Sequence, residues 1–159
     1  SARAQYGAAP FHHQKDLETA ERIVAERYPE YTAAMEKYLS EDLCYFCNMF
    51  IMRRQVFQRY CEWLFSVLEA FDREADRSGY SEQEQRVNGY LGERLLGIYA
   101  TYLQQSGGYS LLELPKACFY PGIDGLYRKV INTVLPPGSR RRAVVKRCVR
   151  RLGVVGGYA

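Results

Sequence analysis

Residues Asn48 to Phe65 read NMFIMRRQVFQRYCEWLF. The stretch opens on an apolar run, Met49-Phe50-Ile51-Met52, and continues without a turn signal into residues whose apolar positions recur every three or four places. A run this short and this apolar reads as buried, and Leu43 to Met52 as a whole is predicted to be a buried strand entered at Asn48. From Arg53 to Arg77 the period becomes helical, with Val56, Tyr60, Leu64, Val67, Leu68 and Phe71 on one stripe, and Ser78-Gly79 ends the helix.

Upstream, Asp16 to Tyr28 reads as a helix with Asp16 as its N-cap, and Pro29 suits the first position of a second helix through Leu39. Ser1 to Pro10 carries Ala, Gly and Pro without periodicity and reads as a loop. Downstream, Ser81 to Gln105 is a predicted helix with Val87, Leu91, Leu95, Ile98 and Tyr102 as its apolar seam, closed by Gly107-Gly108. Leu111 to Tyr120 is a candidate second strand. A short basic helix to Val134, the break Pro136-Pro137-Gly138 and a last helix from Arg140 to Leu152 complete the chain. It is expected to be mainly helical with two or three strands.

Composition fits a folded unit: 47% of the 159 residues are hydrophobic and 14 are tyrosines. One domain is expected, long enough to bury a core. No segment approaches the ~20 apolar residues of a membrane span. Five cysteines, an odd number in a chain of this size, argue for a reducing, cytoplasmic location. Cys44 and Cys47 lie in an apolar run with no second metal-ligand pair at matching spacing, so they read as core thiols, as do Cys61, Cys118 and Cys148.

Charge divides the chain at about Leu126. Beyond it lie nine Lys or Arg residues and no acid, whereas residues 1–125 hold 13 basic residues against all 18 acids. In the tail, Val145, Val149 and Leu152 form a thin apolar stripe flanked by Arg140, Arg141, Arg142, Lys146, Arg147, Arg150 and Arg151. A basic amphipathic helix of this kind suits an anionic membrane surface. An acidic body without a nucleic-acid motif argues against nucleic acid. The expected division is a body, 1–125, and a basic tail, 126–159.

Two constellations carry candidate chemistry. On the predicted 81–105 helix, Arg86, Gly89, Glu93 and Gly97 are spaced by three or four, so they share the side opposite the apolar seam. Two glycines there cost ~1 kcal/mol each relative to Ala, which fits the close approach of a ligand or a backbone. The alternatives are a substrate-facing stripe and an Arg–Glu structural pair. His12, His13 and Asp16 could converge at a helix start as a metal or diphosphate site; the plainer reading is a capping Asp16 with surface histidines.

Three blocks together carry a resemblance. They are AQYGAAPFHHQKDLETAERIVAERYPEY (Ala4 to Tyr31), NMFIMRRQVFQRYCEWLF, and RVNGYLGERLL (Arg86 to Leu96). Over roughly residues 4 to 104 the chain resembles a family of bacterial glycosyltransferases from capsule and O-antigen clusters, long filed as a domain of unknown function. Its pattern is Q-Y…H-H-x-x-D-L…Y-P-E-Y, then N-M-F-I-M-x-x-x-x-F-x-x-Y-C-x-W-L-F, then R-x-x-G-x-L-x-E-R-L-L. The resemblance implies an α/β class, with this chain the helix-rich C-terminal portion of a GT-A-like fold. It also implies that the nucleotide-sugar-binding N-terminal half lies outside this sequence, leaving the chain alone inactive.

The roles implied are Glu93 as catalytic base with Asp16 behind it, and His12, His13, Asn48, Arg86 and Arg94 as substrate-binding residues. Glycosyl transfer needs a carboxylate to deprotonate the acceptor and positive charge for the leaving diphosphate. No D-x-D occurs here, so the resemblance implies either a divalent metal, Mn or Mg, held in the missing half or a metal-independent enzyme. The expected partners are a UDP-linked sugar and a lipid-linked glycan acceptor at the inner face of the cell membrane. The competing expectation is a non-catalytic helical module tethered by its basic tail.

Overall fold

The computed structural model of the chain describes residues 1–114, 133, 134 and 141. Ser1–Leu112 forms one compact unit. Its elements are α1 (Ala2–Ala8), α2 (Gln14–Arg27), a 3-10 turn (Pro29–Tyr31), α3 (Thr32–Ser40), α4 (Arg54–Glu74), a second 3-10 turn (Glu84–Arg86) and α5 (Val87–Ser106). Among the described residues there is no strand, and no helix is long and apolar enough to cross a membrane.

α5 is the central element. Val87, Leu91, Leu95, Ile98, Tyr99 and Leu103 are buried, and so are Gly92, Arg94, Gly97 and Thr101, so the helix is enclosed on most of its circumference. α3 lies along α5, and one glycine permits it: a Cβ at Gly97 would fall 1.9 Å from Cζ of Tyr38. α2 packs along α4, whose buried stripe is Val56, Tyr60, Trp63, Val67, Ala70 and Phe71. Tyr102, Tyr31 and Trp63 stack in sequence, with ring centroids 4.0 and 4.8 Å apart, and tie α5, the first 3-10 turn and α4 together. The chain leaves α5 through Gly107, whose φ of 76° suits only glycine without strain.

Three sequence expectations are corrected. Ser1 to Pro10 is not a loop: Ala2–Ala8 is helical, capped by the Ser1 hydroxyl and anchored by the fully buried Ala2 and Tyr6. So short a helix has little stability of its own and depends on those contacts. Asp16 is not an N-cap, because α2 begins two residues earlier with His13 at the cap position. The predicted buried strand, Leu43 to Met52, is irregular and largely exposed, and Asn48 sits at the surface. With no neighbouring strand among the described residues, its apolar content alone does not make a ladder.

The predicted strand Leu111 to Tyr120 falls mostly outside the described residues; Leu111 to Leu114 are without regular structure. Arg140, Arg142, Lys146, Arg147, Arg150 and Arg151, as well as Cys118 and Cys148, lie outside them too. Arg141 is helical and exposed.

Candidate functional site

The 3-10 turn that leads into α5 is held by Ser81-x-x-Glu84. Glu84 Oε2 accepts from the Ser81 backbone N–H at 2.8 Å and from its hydroxyl at 2.6 Å, while the Ser81 hydroxyl oxygen accepts from the Glu84 N–H at 3.4 Å. This is a reciprocal capping box. Those bonds hold the Glu84 carboxyl below the usual range. Its other oxygen is 2.8 Å from His13 Nε2, which fastens the 10–13 segment over the start of the helix.

From there Arg86, Gly89, Tyr90 and Glu93 line one side of a cleft of about 220 Å³, and Cys47 and Asn48 line the other. Both of the latter are left-handed, with φ of 69° and 47°. Asn tolerates that region; for Cys it is strained. The turn is held by α5: Glu93 Oε1 accepts from the Cys47 N–H at 2.8 Å, and Asn48 Nδ2 donates to the Gly89 carbonyl at 3.4 Å. Gly89 faces open space, since a Cβ there would meet nothing within 4 Å. Arg86 is exposed, and its guanidinium makes no hydrogen bond or ion pair with a described residue.

Arg94, the next residue after Glu93 and expected to bind substrate, does not line the cleft: it is 1% exposed. It donates to Gln5 Oε1 and, at 3.5 Å, to the Tyr45 carbonyl, and it lies over the rings of Tyr6 and Phe46 at 5.8 and 5.3 Å. No carboxylate among the described residues forms an ion pair with it, and its Nε is buried without a partner. Glu93 and Arg94 therefore fix the Tyr45–Asn48 segment from below through two adjacent positions.

His12, His13 and Asp16 do not converge. His12 is sandwiched between Tyr6 and Tyr90, at 4.5 and 4.1 Å, with its Nδ1 buried and unpartnered. Burial, and then the nearby Arg94 charge, lower its pKa. His13 stacks on Tyr80 and meets Glu84. Asp16, 3% exposed, accepts from the Tyr80 hydroxyl at 2.9 and 3.1 Å. Among the described residues no group of three His, Cys, Asp or Glu side chains could hold a metal ion.

Of the residues singled out from sequence, Asn48, Arg86 and Glu93 share the cleft with Gly89. Gly97 does not, as it faces Tyr38. Of the two alternatives for this stripe, the Arg–Glu structural pair is not formed among the described residues; Glu93 bonds the Cys47 N–H instead. Two lining residues escaped the sequence reading. Tyr90 is four residues after Arg86 and three before Glu93, so the spacing rule that found those two would have found it as well. Cys47 was read as core but is exposed, while Cys44 and Cys61 are half-buried. Its only signal was adjacency to Asn48.

Comparison with known proteins gives two findings. The pattern of a domain of unknown function, DUF4422, matches residues 1–105. The apo structure of WbbM, a bifunctional glycosyltransferase, is similar with a TM-score of 0.68 and 37% identity, over 70% of this chain and 20% of that one. The chain thus spans about a fifth of that protein's length. No curated protein matches.

Proposed function

The chain belongs to the DUF4422 family, and on that premise we propose that it is part of a glycosyltransferase of cell-surface polysaccharide biosynthesis. It would transfer a sugar from a nucleotide sugar, UDP-linked, to a lipid-linked or polysaccharide acceptor. The observation that carries this reading is convergence. Asn48 from one sequence block and Arg86, Gly89 and Glu93 from another, some forty residues on, line a single cleft. The similarity to a bifunctional glycosyltransferase supports the same class.

In this reading the acceptor hydroxyl oxygen attacks the anomeric carbon of the donor. The bond from that carbon to the diphosphate oxygen breaks, the nucleoside diphosphate leaves, and the hydroxyl proton passes to the Glu93 carboxylate. Asn48 and Tyr90 offer hydrogen bonds to sugar hydroxyls, and Arg86 offers charge to a phosphate. The described residues do not fit a metal, so no step is assigned to one here. At about 220 Å³ the cleft is below the ~300–1,000 Å³ of complete small-molecule pockets, which suits one sugar ring and leaves the nucleotide to another part of the protein. The 159 residues alone are then inactive, as the C-terminal portion of a GT-A-like enzyme bound peripherally at the inner face of the membrane.

The test is nucleotide release by the full native gene product, given UDP-hexoses and UDP-galactofuranose with a lipid-linked glycan acceptor. Acceptor-dependent release that is lost in Glu93→Gln supports the proposal. A folded native protein that turns over none of these donors, or a Glu93→Gln variant at full rate, overturns it.

A further inference from the structure

Met49 to Met52 run between the Cys47–Asn48 turn and α4 without regular structure. Their side chains nonetheless alternate. Phe50 packs toward Phe57 and Tyr60, with centroids 6.0 and 5.5 Å away, and Met52 lies against the core. Met49 and Ile51 point to solvent, 59% and 94% exposed. Period two with apolar residues on both sides is the pattern of a strand covered on both faces. Here the described residues cover only one face. None of the backbone N–H and C=O groups of these four residues forms a backbone hydrogen bond with a described residue.

We propose that Met49–Arg53 is a strand that completes a β-sheet supplied by polypeptide outside these 159 residues, pairing through its backbone and burying Met49 and Ile51 against an apolar layer of that polypeptide. Three observations support this occupant. These amides, unpaired among the described residues, call for a partner with its own N–H and C=O groups, which a lipid surface does not offer. The alternation fixes which two side chains the partner must cover. The similar solved chain is about five times longer than the part this chain matches, so ample polypeptide exists in such proteins to supply a sheet. The inference stands apart from the chemistry of the cleft and does not rest on it.

Hydrogen–deuterium exchange decides it, measured on the full native gene product and on the 159-residue chain. The expected result is that amides 50–52 exchange at least ~100-fold more slowly in the monomeric native product, while in the 159-residue chain they exchange at nearly free-peptide rates. Equal, fast exchange in both overturns the proposal. So does protection in the monomeric 159-residue chain, which would make its own remaining residues the cover. Protection that grows with the concentration of that chain would mean a second copy. Protection only with phosphatidylglycerol vesicles would mean a membrane. Either of these also overturns it.

Ile51→Asp gives an independent readout. Its melting temperature should be unchanged in the 159-residue chain and lower by about 5 °C or more in the native product. If the native Ile51→Asp protein is insoluble, Ile51→Thr should show a smaller loss in the same direction. No loss in either variant overturns the proposal.

Discussion

Glu93 Oε1 accepts the backbone N–H of Cys47 at 2.8 Å, joining the middle of α5 to a turn 46 positions earlier in the chain. The carboxylate proposed to take the acceptor's proton is therefore also the tether of the opposite wall of the cleft. Substitutions at this position separate the two roles.

Glu93→Gln keeps an oxygen acceptor for Cys47 and removes the basic carboxylate. Transfer by the native product should fall by ~10²–10⁴-fold, while thermal stability stays within ~0.5 kcal/mol. Glu93→Ala should lose activity and, in addition, ~1 kcal/mol of stability. Nucleotide release and thermal melts of both variants check this.

Two glycines of α5 should respond with opposite sign. Gly97→Ala places a methyl group inside the Tyr38 ring and should destabilise by ~3 kcal/mol or more. Gly89→Ala meets nothing within 4 Å and should stabilise by up to ~1 kcal/mol through helix propensity. It should also weaken ligand binding, because the methyl group enters the cleft. Denaturant midpoints and substrate titrations of the pair measure both effects.

Arg94 is buried without a carboxylate partner among the described residues, and its removal takes a donor from Gln5 Oε1 and from the Tyr45 carbonyl and leaves a cavity beneath the turn. Arg94→Ala should cost ~2–4 kcal/mol. Arg94→Lys should recover little, because an ammonium cannot reach both acceptors and stack between two rings as the planar guanidinium does. Urea unfolding of the two variants tests this.

The His12 site makes the chain sensitive to mild acid. Burial and Arg94 lower its folded pKa beneath the unfolded value of about 6.5, although Glu93 and Asp16 act in the opposite sense. The unfolded chain then binds the extra proton first, so this contribution to stability is intact above pH 6.5 and is lost progressively as pH falls through and below that value. His12→Phe keeps the sandwich between Tyr6 and Tyr90 and should flatten the dependence of melting temperature between pH 7 and 5.

The helices were legible wherever an apolar stripe of period 3.6 persisted over several turns. For α2 and α4 the boundaries fall within three residues of those expected, because tertiary burial follows the stripe, whereas α5 begins at Val87 rather than Ser81, after a 3-10 turn. α1 was not legible, since seven residues containing Gly and three Ala carry no period; only the buried Ala2 and Tyr6 make them a helix. In the run from Leu43 to Met52 the apolar content was read correctly and its environment was not. Sequence reports that Ile51 belongs against something, and burial depends on whether that something is within the same 159 residues.

The cleft was half legible for a similar reason. Helical spacing places Arg86, Gly89 and Glu93 on one side, but spacing does not say what a side faces. Gly97 obeys the same rule and faces Tyr38. The histidines are a clearer case: adjacent residues on an irregular segment diverge, so His12 went to two tyrosine rings and His13 to Glu84. No periodicity governs such a segment.

The chain contains one tryptophan. Trp63 is 4% exposed and stacked on Tyr31, with Tyr99 at 5.6 Å. Its emission should consequently report on a single event, the parting of α4 from α5 and the Pro29–Tyr31 turn, and shift to the red when that core opens. Cys47, Asn48 and Ile51 belong to the other side of the bookkeeping: they are not among its ring neighbours, so rearrangements of that segment should leave the signal dark. Fluorescence and amide exchange, read on one sample, thus become a two-channel assay in which the first channel follows global unfolding and the second follows the 47–53 segment.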